Sequence, residues 1–377
     1  MLITAAILAI FVYGMIAAML GTILPDLSQR FKLTPKQNGN IALAQAIGLI
    51  IASISVGPLI DNQGKKVGLV LGLALIALAL FLLPKSKGYG TIMVYLLILG
   101  LGGGIIVTGA NALVSDIGAG RRATVMNFLN LFFGLGGLAT PFISANLLGR
   151  NSTRLCYLVA VLTAGTLVIH FTAPIPPPSG ERGFQLSQAS DLLGQPALWL
   201  LALLLFLYVA AEVGVWNWLV RHLIAQGIPE GRALNILSLG FALGMLVGRV
   251  AVAPVLITVP AQTVTLVAAL LMTVTTYLAL QTRDPKVSWI AVFCAGLAMA
   301  PVFPTTLAIV GNVFTVATAT ALGIVITSGW LGLAVSSRII GAIAGEDPIR
   351  LKKALLVLPA ASVLMVAVNL ALRAVLP

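Results

Sequence analysis

Tyr208, Glu212 and Trp216 recur at i, i+4 and i+8, so a helix would set a phenol, a carboxylate and an indole on one face, with Asn217 beside them. The surrounding residues are apolar, and an acid within an apolar span is costly unless it faces a cavity or a partner. Glu212 therefore has two readings: a ligand acceptor that can also carry a proton, or a structural partner of Arg221 or of another helix. Trp216 and Trp218 either line a cavity or anchor at the membrane interface, because the segment ends soon after them. In a second apolar segment Asn127, Asn130 and Gly134 lie at i, i+3 and i+7, again on one face, while Asn111 and Gln45 stand in two others. Amides donate and accept at once and an indole offers a flat apolar wall, the combination that a neutral, hydroxyl-rich ligand needs. For the three asparagines, a hydrogen bond between helices is the competing role.

These groups need a scaffold, and composition says which kind. Of 377 residues, 59% are hydrophobic and 8% charged, and the mean hydropathy is +1.08. A water-soluble domain could not cover that much apolar surface. Crossing a hydrocarbon core of about 30 Å takes roughly 20 apolar residues as helix, since every backbone amide must be bonded within its own segment. Strands of a membrane barrel would alternate, and these segments do not. The expected fold class is an all-α membrane protein of twelve transmembrane helices in two pseudo-symmetric six-helix bundles. The predicted spans are 4–24, 38–60, 67–83, 91–114, 123–148, 154–173, 197–220, 232–257, 262–281, 288–312, 319–344 and 352–374. The first lacks a basic leader and is long enough to span, so it reads as a helix and not as a cleavable signal. A Pro-rich stretch over 174–196 cannot continue a helix and divides the chain into bundles 1–173 and 197–377.

The halves echo one another. Ala123-Thr124 opens the glycine-rich fifth segment as Ala319-Thr320 opens the eleventh, and repeated halves are a transporter architecture. The formal charge of +12 comes from 22 basic residues in short connections, with no run beyond Lys65-Lys66, Arg121-Arg122 and Lys352-Lys353. That pattern suits lipid headgroups and not nucleic acid. Two cysteines inside apolar stretches, Cys156 and Cys294, give no disulfide framework, metal cluster or haem motif. No nucleotide-binding loop, zincin motif or Ser/His/Asp arrangement is present, and His170 and His222 lack partners at ligand spacing. The expectation is a non-enzyme without cofactor or metal, driven by gradients.

Between the second and third segments stands Gly57-Pro-Leu-Ile-Asp61-Asn-Gln-Gly64-Lys65-Lys66. A short turn needs the glycines, and Asp61 can cap the next helix start and pair with a basic group at a neighbouring helix end. This stretch resembles the loop signature of the major facilitator superfamily. The resemblance implies a conformational latch on the cytoplasmic side formed by Gly57, Asp61, Gly64 and Lys65; Arg249, which parallels this loop at the end of the eighth segment, either pairs in the gate or contacts the substrate. It also implies that both termini and the linker are cytoplasmic. About 14 of the 22 basic residues then fall on the other side, against the positive-inside tendency.

Tyr208 to Arg221, Asn127 to Gly136, Gly109-Ala-Asn111, Gly248-Arg249 and Phe303-Pro304-Thr305 together resemble the fucose permease and related glucose/galactose transporters. That resemblance implies a monomeric, multi-pass inner-membrane protein moving a monosaccharide by alternating access, as a proton symporter. Its implied substrate residues are Gln45, Asn111, Asn127, Asn130, Tyr208, Glu212, Trp216 and Asn217, and Glu212 also carries the proton. Where that family has intramembrane acids in its first and fourth helices, this chain has Gly21 and Val107, so uniport stays open. Asp26, past Pro25, is expected to cap or pair at a helix end. Arg338 either snorkels outward or would favour an acidic sugar. The rivals are a drug/proton antiporter, for which Gly136-Gly137-Leu-Ala-Thr-Pro141 offers a partial signature, and a non-transporting membrane sensor.

Overall fold

The computed structural model describes residues 2–376 apart from 34, 119, 150, 178–185, 283 and 345–347. Twelve helices are long and apolar enough to cross a membrane. They are α1 (Leu2–Leu24), α2 (Asn40–Gln63), α3 (Lys65–Lys85), α4 (Tyr89–Ile117), α5 (Arg122–Ser144), α6 (Ser152–Thr172), α7 (Pro196–Ala225), α8 (Ile236–Thr258), α9 (Ala261–Gln281), α10 (Pro285–Val313), α11 (Thr318–Ala344) and α12 (Ile349–Val375). No described residue is in a strand. Most of the Pro-rich part of the linker, residues 178–185, lies outside the described residues, and the linker's end folds as a short helix, Leu186–Leu193.

Departures from smooth helix have local causes. The helix holding α1 runs on to Phe31, so Asp26 lies inside a helix and not beyond its end. It still caps as expected, accepting from the backbone N–H of Ser152 at 3.2 Å and from the Ser152 hydroxyl at the start of α6. α8 opens with a wide π turn, Ile236–Ala242. α10 breaks at Ala300–Pro301, where proline offers no N–H to the ladder, and resumes at Val302. The α2–α3 turn depends on Gly64, whose φ of 95° and ψ of 156° lie where a side chain is strained.

The chain forms two compact units. The first comprises Met1–Ala119, Leu129–Ser190 and Phe314–Thr327; the second comprises Gly120–Phe128, Asp191–Val313 and Ser328–Pro377. The opening residues of α5 thus belong with the second unit, and those of α11 with the first.

Within each unit, glycines let backbones touch, since lipid gives helices no hydrophobic drive to associate and close packing must supply the attraction. In the first unit α2 crosses α4 where a Cβ on Gly48 would strike the Leu97 carbonyl and one on Gly100 the Gln45 carbonyl. In the second unit α8 crosses α10 in the same way, at Gly244 against the Phe293 carbonyl and Gly296 against the Phe241 carbonyl. The α1–α5 crossing at Gly136 matches the α7–α11 crossing at Gly332. Each pair is offset by 196 residues (48 to 244, 100 to 296, 136 to 332). The same offset carries Ala123-Thr124 onto Ala319-Thr320, so the echo in the sequence is a repeat of packing geometry.

Candidate functional site

The second unit assembles a polar cluster around α7. Glu212 is half-buried, with Tyr208 one turn before it and Trp216 one turn after, both beside its carboxylate, and Arg249 of α8 places its charge within reach of it. The Tyr208 hydroxyl is fully buried and stands next to Glu212 without closing a hydrogen bond. Its ring lies 6.5 Å from that of Phe303, just after the α10 break, and the Trp216 ring meets Phe241 edge-on at 5.2 Å. Trp216 and Asn217 are exposed, whereas Arg249 is buried. Arg221, the alternative partner for Glu212, lies over the Trp218 ring at 5.7 Å. A carboxylate and a phenol presented together, beside an aromatic wall and a buried guanidinium, offer both acceptor and donor to a ligand hydroxyl.

Asn127 is fully buried in the same unit. Its amide donates to the Thr305 hydroxyl at 2.9 Å and to the Ala123 carbonyl at 2.9 Å, while its side-chain oxygen has no hydrogen-bond partner among the described residues. Thr305 is thus a hydrogen-bond neighbour of Asn127, 178 residues away, that spacing could not reveal. A small cavity of about 20 Å³, lined by Gly214, Val215, Leu219, Thr276, Leu355 and Leu358 among others, contains none of the candidate polar residues.

The first unit holds Gln45, Asn111 and Asn130, all buried. Asn111 donates to the Val107 carbonyl one turn back at 2.7 Å and leaves its side-chain oxygen unpartnered. Gln45 lies at the α2–α4 crossing. Gly21 faces open space, and Val107 is buried. In the second unit Arg338 is exposed on α11.

The latch loop is wired differently from the expectation. Asp61 does not cap the next helix, α3, whose N-cap is Gly64 with no side-chain bond. Its carboxylate instead accepts from the backbone N–H groups of Ala319 at 3.1 Å and Thr320 at 2.8 Å, and from the Thr320 hydroxyl at 2.7 Å. The reason is geometric. Asp61 ends α2 one turn beyond Gly57, where a Cβ would sit 2.5 Å from the Thr320 Cα, so α2 already abuts the start of α11 and its orphan donors. The basic member of the loop also chooses another partner: Lys65, buried at the start of α3, pairs with Asp116 at the end of α4 at 2.7 Å. The equivalent opening of α5 lies in the second unit, where no carboxylate among the described residues accepts from Thr124. There the Thr124 hydroxyl donates to the Ala253 carbonyl at 3.4 Å and Arg122 donates to Asn312 at 2.7 Å.

A family model described as the Major Facilitator Superfamily matches residues 6–337. The chain belongs to the Major Facilitator Superfamily. That is a superfamily of membrane transporters and not of enzymes, and the twelve helices make this chain a multi-pass membrane protein. A Saccharomyces cerevisiae protein named "Bypass of stop codon protein 6" is 23% identical over 273 residues, 65% of this chain and 55% of its own length. The glucose/galactose transporter of Brucella abortus is 28% identical over 266 residues, 65% of this chain and 64% of its own. The match therefore spans between about half and two thirds of these relatives. The Escherichia coli fucose:proton symporter is 26% identical over 267 residues, 60% of each chain. Its crystal structure matches this fold with a TM-score of 0.85 at 19% identity, covering 98% of both chains.

Proposed function

We propose that the chain is a monosaccharide transporter of the inner membrane, moving a hexose-like sugar by alternating access as a proton symporter and acting as a monomer with both termini cytoplasmic. The observation that carries this reading is Glu212, in mid-helix between Tyr208 and Trp216 and beside Arg249. Asp61 and Asp116, the other acids within the spans, are engaged at helix ends. Glu212 offers an acceptor for a sugar hydroxyl and a site for the coupled proton, and Tyr208 has a free hydrogen-bonding capacity that a sugar hydroxyl would fill. Gln45, Asn111, Asn127, Asn130, Trp216 and Asn217 complete the substrate set. Gly57, Asp61, Gly64 and Lys65 form the gate. Arg249, read from sequence as a gate residue, acts in our reading through the charge it places beside Glu212. The names of the Brucella and Escherichia coli relatives support a sugar.

A second reading, uniport, is favoured by Gly21 and Val107 where the family it resembles carries acids. The deciding experiment is counterflow of radiolabelled glucose, galactose and fucose in liposomes, with and without a pH gradient, for wild type and Glu212→Gln. Exchange that responds to the gradient in wild type, and loses that response in the variant, supports symport through Glu212. Gradient-independent exchange that survives in the variant establishes uniport, and no hexose exchange at all overturns the sugar reading.

A further inference from the structure

At the membrane end opposite Asp61, the structure assigns a binding site for one anionic phospholipid on the outer face of α3 in the first unit. Lys85 closes α3 and holds its ammonium 3.9 Å from the centre of the Phe81 ring, which tilts against Tyr157 at 5.8 Å. Arg30, at the end of the helix that holds α1, reaches across to donate to the Pro84 carbonyl at 3.4 Å, one residue from Lys85. Two cations are thus brought together, and both are exposed. Holding the ammonium on the ring removes part of the side-chain entropy that a flexible lysine would lose on gripping a headgroup.

The charges at this end favour an outside anion. Lys87 and Arg154 are also exposed here, while Asp26, the acid at this end of the first unit among the described residues, is committed to Ser152. Below the cations, Phe81 is 50% exposed and Leu78, also exposed, continues the apolar face of α3 into the same half of the span. A cationic head above an apolar helix face matches a phosphodiester with acyl chains, since each cation near a membrane surface attracts acidic lipid. A soluble phosphate would use only the upper half of this arrangement. The site also gives a use to the excess of basic residues on this side of the membrane, which the positive-inside tendency leaves unexplained.

The test is native mass spectrometry of the full chain released from detergent containing equal phosphatidylglycerol and phosphatidylcholine. The wild type should retain one phosphatidylglycerol in preference. Lys85→Gln and Arg30→Gln should each weaken that retention about five-fold and together about 25-fold. Lys85→Arg should restore it, and Lys286→Gln, an exposed cation in the second unit, should change nothing. Thermal shifts supply a second readout: phosphatidylglycerol should raise the melting temperature of wild type more than that of the double variant, and inorganic phosphate should raise neither. Equal retention by wild type and double variant, no preference over phosphatidylcholine, or an equal stabilisation by inorganic phosphate overturns the assignment.

Discussion

Removing the Asp61 carboxylate should release the start of α11. Asp61→Ala deletes the bonds to Ala319 N–H, Thr320 N–H and the Thr320 hydroxyl and leaves three donors without an acceptor, all on the two buried residues Ala319 and Thr320. Hydrogen bonds to charged acceptors contribute about 1.5–3 kcal/mol each, and whole helix caps about 0.5–2 kcal/mol. Bonds that share one acceptor do not add in full, and water can reach part of Asp61. A total of about 2–3 kcal/mol follows, or about 30- to 150-fold in the equilibrium between fastened and released. Hydrogen exchange of the full chain in nanodiscs, followed on a peptide spanning 316–327, reads this directly. Ala319 and Thr320 amides have Asp61 as acceptor, so their exchange should accelerate by that factor in Asp61→Ala. Asp61→Asn keeps an acceptor and loses the charge facing the helix N-terminus, so it should accelerate exchange only about five-fold. Thr320→Val should fall between wild type and Asp61→Ala. Unchanged exchange at these amides in Asp61→Ala would refute the claim that the carboxylate fastens α11.

Other outcomes follow from the same geometry. Gly57→Val should slow sugar exchange at least ten-fold in order of magnitude, because one 1.4 kcal/mol clash suffices, whereas Gly21→Ala, which meets nothing within 4 Å, should leave it unchanged. Gly64→Ala should lower stability by about 1–3 kcal/mol through the positive φ of the turn, measured as an earlier melting transition with a thiol-reactive dye reporting buried Cys156. Lys65→Ala should destabilise more than the exposed Lys286→Ala, since it strips Asp116 of its ion pair, and Asp116→Asn placed on top should recover part of the loss. A double-mutant cycle of Asn127→Ala with Thr305→Val should give a coupling of about 0.6 kcal/mol, and at most about 1.7, the range for polar contacts between membrane helices.

The spans were legible because lipid imposes one rule on every segment. The stretch 262–281 became Ala261–Gln281, and 4–24 became Leu2–Leu24. The seventh segment shows where polarity misleads. The expected span ends at 220, before Arg221, yet the helix runs to Ala225, with His222 buried and its ring 2.9 Å from the side chain of the C-cap Gln226. The face shared by Tyr208, Glu212 and Trp216 was legible from spacing alone. The partner of Asp61 was not, because it lies 258 residues away and capping was sought at the nearest helix start. The resemblance of Ala319-Thr320 to Ala123-Thr124 marked the right place without saying what would bind there. Arg249 beside Glu212 was equally out of reach, since helix periodicity fixes which residues share a face and not which faces meet.

The paired glycine crossings have a consequence for how this chain can vary. At Gly48, Gly100, Gly244 and Gly296 the neighbour is a backbone carbonyl, which cannot be trimmed or rotated aside to make room for a methyl group. No second substitution elsewhere can compensate, so these positions should be dead ends in any saturation library. Tolerance plotted along the chain would then dip twice, with the second set of troughs 196 positions after the first, and the ancestry of the two halves would be readable from failures alone.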